Sequence, residues 1–247
     1  MIPKIIHYCW FGLGPISDLE IDCIESWKKL LPDFQIKRWD ENNFDYNQYR
    51  FSKDAYFFKK FAFVSDVCRI SVLYNEGGIY LDTDMLLLKP FTNFLDYDVF
   101  LGEEKEGQLS AGVIGIRPNN DKLKPILDYY LNNHFFPDRP ITIPYLLGGL
   151  LERQGLAIFS EKYFYPLPYS KRNLSFEDFL EPETVAVHLW NHSWKSEFGY
   201  LSEGKYWKSL NVFFENIKNN PNEFFSASYL IKYFKFFIAR LLPFLVR

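Results

Sequence analysis

Apolar and polar positions fall into short blocks along the first forty or so residues, and each block has its own period. Lys4 to Cys9 is a compact β-rich run ending at Gly12 and Gly14, which predicts a buried strand followed by a loop. Leu19, Cys23, Ile24, Trp27, Leu30 and Leu31 then recur at helical spacing. Ser17 with Glu20 three places later forms a capping box at the start of that helix, and Pro32 closes it. Phe34, Ile36 and Arg38 alternate with residues of the opposite face, predicting a second strand. The opening is therefore β-α-β.

Further on, Lys53 to Asn75 reads as one or two helices stopped by Gly77-Gly78, and Ile79-Tyr80-Leu81 as a short strand ending at Asp82. Strands are predicted at Val99 to Gly102, Gly112 to Ile116 and Val185 to Trp190, with helices at Asp121 to Leu131 and Tyr145 to Gln154. Alternating strands and helices predict an α/β sandwich with a largely parallel sheet. No internal repeat or mid-chain linker interrupts it, so residues 1–219 are expected to form one catalytic domain and residues 220–247 a tail.

The tail differs in kind. From Tyr229 to Arg247 its only charges are Lys232, Lys235, Arg240 and Arg247, which span a stripe of roughly 140° on a helical wheel. These charges interrupt the run too often for a transmembrane helix of ~20 apolar residues, and Pro243 is expected to break or kink it. The pattern predicts an amphipathic helix lying on an anionic membrane surface, or else a helix packed on its own domain or on a partner. Residues 220–247 carry +3 of a total of −3, which leaves −6 on the body.

Composition narrows the class. Hydrophobic residues at 48% and charged residues at 24% describe a folded chain. A net charge of −3 argues against a general nucleic-acid binder, which needs a basic field to displace phosphate counterions. Three cysteines without C-x-x-C spacing suggest neither a disulfide framework nor a zinc site, and fit a reducing cytosol. No secretory signal is read at Met1 to Lys4, so the expected location is cytoplasmic, peripheral on the inner face of the cell membrane. Aromatic residues reach 20%, which reads first as a core rich in Phe and Tyr and otherwise as aromatic surfaces for sugars, bases or lipid.

The sharpest chemical signal is Asp82-Thr83-Asp84, which follows an apolar strand directly. In an extended chain, positions i and i+2 share a face, so both carboxylates can converge on a hard divalent cation such as Mg²⁺ or Mn²⁺. Ser65, Asp66 and Arg69 lie within one turn of the preceding helix, and Asp66 and Arg69 share a face at i, i+3. They form either a helix-surface ion pair or an acceptor and a forked donor aimed at a sugar and its phosphates.

The run Ala62 to Asp84 (AFVSDVCRISVLYNEGGIYLDTD) resembles the signature of glycosyltransferase family 32, the DXD-containing sugar transferases of capsular and cell-wall polysaccharide synthesis. The yeast outer-chain mannosyltransferase belongs to them, and the clostridial glucosylating toxins share the pattern. Ile5 to Gly12 and the late His188 to Trp194 are similar to the family's first strand and its closing His…Ser-Trp motif.

The resemblance implies a GT-A fold, a divalent metal, a nucleotide-sugar donor that is UDP-linked, and transfer with retention to an oligosaccharide or lipid-linked glycan. It implies that Trp10 stacks on the base, and that Asp66 and Arg69 hold the sugar hydroxyls and position the phosphates. Asp82 reaches the ribose and metal region, Asp84 ligates the metal, His188 completes its shell, and Ser193 and Trp194 bind the diphosphate. Ser65 and Tyr80 join the donor-binding set. From the residues themselves, Trp10 also reads as a core residue, His192 competes with His188, and Trp190 competes with Trp194. Two positions depart from the family pattern: Ala111 stands where Asn is common after Ser, and Thr142-Ile143-Pro144 where Thr-Gly-Pro is common. Both bear on which sugar and acceptor are read. An Asp-x-Asp phosphohydrolase is disfavoured by Leu86 and the lack of a lysine motif. A degenerate binding module is disfavoured because every charged element is present.

Overall fold

A computed structural model describes residues 1–12, 14–137, 139–191, 197–202, 204–219 and 225–245. The predicted β-α-β opening is present as β1 (Ile5–Cys9), α1 (Asp18–Leu30) and β2 (Gln35–Trp39). Both halves of the capping box form, with the Ser17 backbone donating to Glu20 at 3.1 Å. The next helical stretch is two helices, α2 (Arg50–Phe57) and α3 (Phe61–Glu76), separated where Lys59 takes a left-handed φ of 54°. Gly77 and Gly78, at φ 65° and 102°, end α3 and start β3 (Gly78–Leu81). A Cβ on Gly77 would lie 2.6 Å from Pro118, so only glycine makes this turn.

After β4 (Met85–Leu87) come β5 (Val99–Lys105) and β6 (Gln108–Ile116), an antiparallel hairpin turning at Gly107. Then follow α4 (Lys124–Asn132), α5 (Ile143–Leu150), β7 (Ala157–Phe159), α6 (Glu161–Phe164) and β8 (Ala186–His188). α4 is preceded by a 3-10 turn over Asp121–Leu123 instead of starting at Asp121, because Pro125 lacks an N–H and suits a first turn. For the same reason α5 begins at Ile143, with Pro144 in its first turn, and it ends at Leu150, short of the expected Gln154. The late strand stops at His188, because Trp190 turns the chain with φ 54°.

The main sheet has the order β2-β1-β3-β6-β5-β7. Pairs β1/β2, β1/β3 and β5/β7 are parallel, and β6 runs antiparallel between β3 and β5. This is the helix-flanked, largely parallel α/β architecture expected of the GT-A class. One core joins α2, α3, α4 and α5 to one face of the sheet through Phe51, Val64, Ile70, Ile126 and Leu147. The second joins α1 and α6 to the other face through Trp27, Phe100 and Phe164. A separate two-stranded sheet pairs β4 antiparallel with β8, setting Met85 opposite His188. Cys9, Cys23 and Cys68 are buried and free.

Residues 1–191 form one compact unit and 192–247 another. The second contains α7 (Glu197–Ser202), α8 (Tyr206–Asn219) and α9 (Ala227–Leu245) around Leu201, Phe213 and Tyr233. The Ser209 hydroxyl donates to the Glu197 carbonyl at 2.7 Å and meets the Tyr233 hydroxyl at 2.8 Å. The expected break at Pro243 does not occur: α9 continues to Leu245, since a proline in the last turn removes only one terminal ladder bond. Among the described residues no helix is long and apolar enough to cross a membrane.

Candidate active site

The carboxylates of the Asp-Thr-Asp segment converge, but not on an extended strand. β3 ends at Leu81, and the Met85 N–H donates to the Asp82 carbonyl at 3.0 Å, closing a turn over residues 82–85. The Asp82 N–H still belongs to the main sheet, donating to the Gly112 carbonyl at 2.9 Å. Asp84 lies at the mouth of the second sheet, one residue before β4, its carbonyl accepting from the Leu189 N–H at 2.9 Å. The turn, not strand alternation, brings the two side chains to one place.

His188 arrives there from β8. One ligand atom from each of Asp82, Asp84 and His188 lies within 4.8 Å of the others. His188 Nε2 is 3.0 Å from Asp84 Oδ1, and Asp84 Oδ2 accepts from the Asn191 N–H at 2.7 Å. Burial acts to raise the Asp84 pKa, but the His188 charge and hydrogen bond and the Asn191 N–H overcome it and hold the carboxyl below its ordinary range. Burial acts to lower that of His188, and Asp84 more than offsets it, leaving the imidazole above its ordinary value. The trio suits a hard or borderline divalent cation: two carboxylates, one imidazole, and a buried His188 Nδ1 that has no hydrogen-bond partner.

Arg69 fixes the other carboxylate. Its side chain is buried, with Nη1 donating to the Ala111 carbonyl at 2.7 Å and Nη2 to Asp82 Oδ1 at 2.9 Å. Asp66 Oδ1 lies 3.4 Å from the same Nη2, and the guanidinium sits 4.2 Å above the Tyr80 ring. Burial works against the Arg69 charge, but Asp82, Tyr80 and Asp66 outweigh it. Burial pushes the Asp66 carboxyl up to about 7, against the pull of Arg69 and of the Ile143 N–H at the start of α5. Asp66 and Arg69 are thus an internal pair beneath the site, not an ion pair on an open helix surface.

Those remaining predicted positions that the structure describes each make contacts of their own. Tyr80 is almost fully buried under Arg69. The Ser65 hydroxyl bonds back to the Phe61 carbonyl at 3.1 Å. Trp10 is half-buried just after β1, its Nε1 donating to the Gly14 carbonyl at 2.8 Å across the left-handed Gly12. Trp190 packs against His188 at 4.0 Å between ring centroids, and its Nε1 donates to the Leu167 carbonyl at 2.8 Å. Ser193, Trp194 and His192 lie outside the described residues.

Three contributors carry no signal of this role in the sequence. Glu20, fully buried, caps α1 and accepts from the Asn191 side chain at 2.8 Å, so the capping box also braces the loop that holds Asp84. Asn191 acts on Asp84 through its backbone, which no residue type announces. The Tyr165 hydroxyl accepts from the Val113 N–H at 2.9 Å, and a Cβ on Gly112 would lie 3.0 Å from both that hydroxyl and Asp82 Oδ2.

A buried arginine–carboxylate pair thus lies beneath an Asp-x-Asp turn, and a histidine from a distant strand completes a trio that could hold a divalent cation. Residues 17–101 match the family model described as the glycosyltransferase sugar-binding region containing the DXD motif, and the match includes Asp66, Arg69, Asp82 and Asp84. The chain is 34% identical over 148 residues to the uncharacterized glycosyltransferase L373 of Acanthamoeba polyphaga mimivirus, covering 55% of this chain and 56% of that one. It is 26% identical over 185 residues to the lactosylceramide 4-alpha-galactosyltransferase of Mus musculus, covering 66% and 48%. With the inositol phosphoceramide mannosyltransferase 3 of Schizosaccharomyces pombe it shares 27% identity over 158 residues, covering 60% and 43%. The chain therefore spans about half the length of the relatives it matches. Among solved structures, the PaToxG glycosyltransferase superposes with a TM-score of 0.44 at 22% identity, covering 51% of this chain and 59% of that one. A glycosyltransferase involved in glycosylation of the major capsid of PBCV-1 gives a TM-score of 0.45 at 12% identity, covering 76% and 95%.

Proposed function

We propose that this chain is a retaining, metal-dependent hexosyltransferase that moves a sugar from a UDP-linked donor to a glycan acceptor in surface polysaccharide synthesis. The observation that carries the reading is the convergence of Asp82, Asp84 and His188, with Asp82 clamped by Arg69. Asp82, Asp84 and His188 would hold a Mn²⁺ or Mg²⁺ ion, which when bound offsets the negative charge developing on the departing diphosphate. The protein's own residues supply position. Arg69 fixes the rotamer of Asp82, and His188 with the Asn191 N–H fixes that of Asp84, so neither carboxylate must reorganise when the donor arrives. Trp10, at the end of β1, offers a ring for the base, and Ser193 and Trp194 are assigned to the diphosphate.

Retention requires no paired carboxylates of the glycosidase kind. The acceptor hydroxyl attacks from the leaving-group face and yields its proton to the departing diphosphate. The names of two relatives, acting on lactosylceramide and inositol phosphoceramide, favour an acceptor carried on a lipid. A peripheral position on the inner face of the cell membrane, through the basic tail over residues 220–247, suits such an acceptor.

Calorimetric titration of a nucleotide-sugar panel with and without Mn²⁺ tests the reading. Mn²⁺-dependent binding of one UDP-sugar is expected. Binding indifferent to metal, or absent for every donor, overturns it in favour of a non-catalytic module.

A further inference from the structure

The second unit carries an apolar surface that the donor site does not use. α8 and α9 run antiparallel: Tyr206 lies 5.8 Å from Phe237 and donates its hydroxyl to the Arg240 carbonyl at 2.9 Å, while Phe213 stacks on Tyr233 at 3.9 Å. The inward faces are therefore Tyr206, Ser209 and Phe213 on α8, and Tyr229, Tyr233 and Phe237 on α9. At about 100° per residue, Trp207 and Phe214 lie roughly 110–130° around α8 from its inward centre. Phe234, Ile238 and Ile231 lie about 100–160° around α9, in the same rotational sense. In an antiparallel pair, equal rotations bring both stripes to the same side. Trp207 is 81% exposed, Phe214 58% and Ile238 53%, so this side is a broad apolar strip of two helices.

Charge identifies the occupant. Lys218 continues the α8 stripe, and Lys235 borders the α9 stripe. Residues 205–247 hold seven basic and two acidic residues in a chain whose total is −3. A second copy docked face to face would set these cations against their own kind, whereas an anionic bilayer accepts both the apolar strip and its basic border. Tryptophan on such a border suits the headgroup boundary, with its body apolar and its N–H wet.

We propose that the α8–α9 hairpin is a two-helix docking face for anionic lipid, in which Trp207 and Phe214 insert beside Ile231, Phe234 and Ile238. The proposal rests on the peripheral-membrane reading above, but assigns half of the contact to residues that precede the tail.

The test is co-sedimentation of the full chain with phosphatidylcholine vesicles, with and without phosphatidylglycerol. The wild type is expected to bind only the anionic vesicles. The double variant Trp207→Ser/Phe214→Ser should keep the wild-type melting temperature, both side chains being exposed, yet partition at least about tenfold less. Brominated lipid should quench wild-type tryptophan fluorescence by an increment that Trp207→Phe removes. If the double variant binds as the wild type does while Lys232→Glu/Lys235→Glu does not, attachment is by tail charge alone and the hairpin face is overturned. If the wild type ignores anionic vesicles, both membrane readings fall together. A dimer that the double variant dissolves, without lipid binding, would assign the face to a second copy and also overturn the proposal. Donor binding by calorimetry is independent of all three outcomes.

Discussion

Arg69 and Asp82 meet at 2.9 Å beneath the site, thirteen residues apart in sequence and joined through the glycine turn that links α3 to β3. The pair converts a helix residue into a rotamer lock for the first carboxylate of the Asp-x-Asp turn. Because Arg69 also serves Asp66 and the Ala111 carbonyl, Arg69→Met strands a buried carboxylate and a carbonyl together. It should destabilise the protein by about 3–5 kcal/mol in urea unfolding. Arg69→Lys keeps the charge but cannot fork, so it should fold with a smaller loss and turn over donor more slowly. Wild-type stability of the Met variant would refute the lock.

Asp84→Asn keeps the side-chain shape and its acceptor for the Asn191 N–H, but removes the charge. Turnover should fall by about 10²-fold or more while the thermal midpoint changes little. Mn²⁺ binding measured alone should weaken in parallel. Activity near that of the wild type would remove Asp84 from the metal set.

Gly112→Ala places a methyl group 3.0 Å from both Asp82 Oδ2 and the Tyr165 hydroxyl. The tyrosine hydroxyl is held by the Val113 N–H and the Asp82 carboxylate by Arg69, so the added methyl group strains the Arg69–Asp82 contact from the side that faces β6. A displaced Asp82 should lower kcat on the order of tenfold or more, with a minor stability cost. A large drop in melting temperature at unchanged kcat would place the strain in the sheet instead.

His7 gives a pH signature outside the site. Trp39 Nε1 donates to its Nδ1 at 3.0 Å, and its Nε2 lies 2.8 Å from the Gly77 carbonyl, so the network assigns a neutral ring protonated on Nε2. Burial lowers its pKa below the ordinary 6.5, with the Gly77 bond opposing. The unfolded chain therefore takes up a proton that the folded one refuses. This contribution to stability is fully present above pH 6.5 and is lost as pH falls from there towards the folded-state pKa, by up to about 1.4 kcal/mol per pH unit. His7→Gln should flatten that slope; an unchanged slope would clear His7 of the effect.

Much of the fold could be read from residue types. The Ser17–Glu20 box, the glycine pair after α3 and the apolar run into Asp82 each leave a local mark, and each element stands within a few residues of its predicted bounds. The antiparallel insertion of β6 did not, because its pairing with β3 depends on residues more than thirty positions apart. Strand β7 and helix α6 went unread, being short and only weakly patterned. In the site, Asp66, Arg69, Asp82, Asp84 and His188 were legible as charged side chains in family-like spacing. Asn191, Glu20, Tyr165 and the Ala111 carbonyl were not, since they act through backbone groups or through contacts only tertiary packing creates.

Thr83 is the single residue between a carboxylate anchored in one sheet and a carboxylate anchored in another. The stretch that bears the recognisable motif, residues 17–101, holds β3 and β4 but neither β6 nor β8. It therefore contains both aspartates while lacking the carbonyls that seat Asp82 and Arg69, the histidine, and the amide that steadies Asp84. The motif is thus not a portable module. Transplanted into another scaffold, it would carry the spelling of the site without its geometry, and any truncation that spares residue 101 but removes 186–191 would keep the recognisable sequence while losing the groups that hold Asp84.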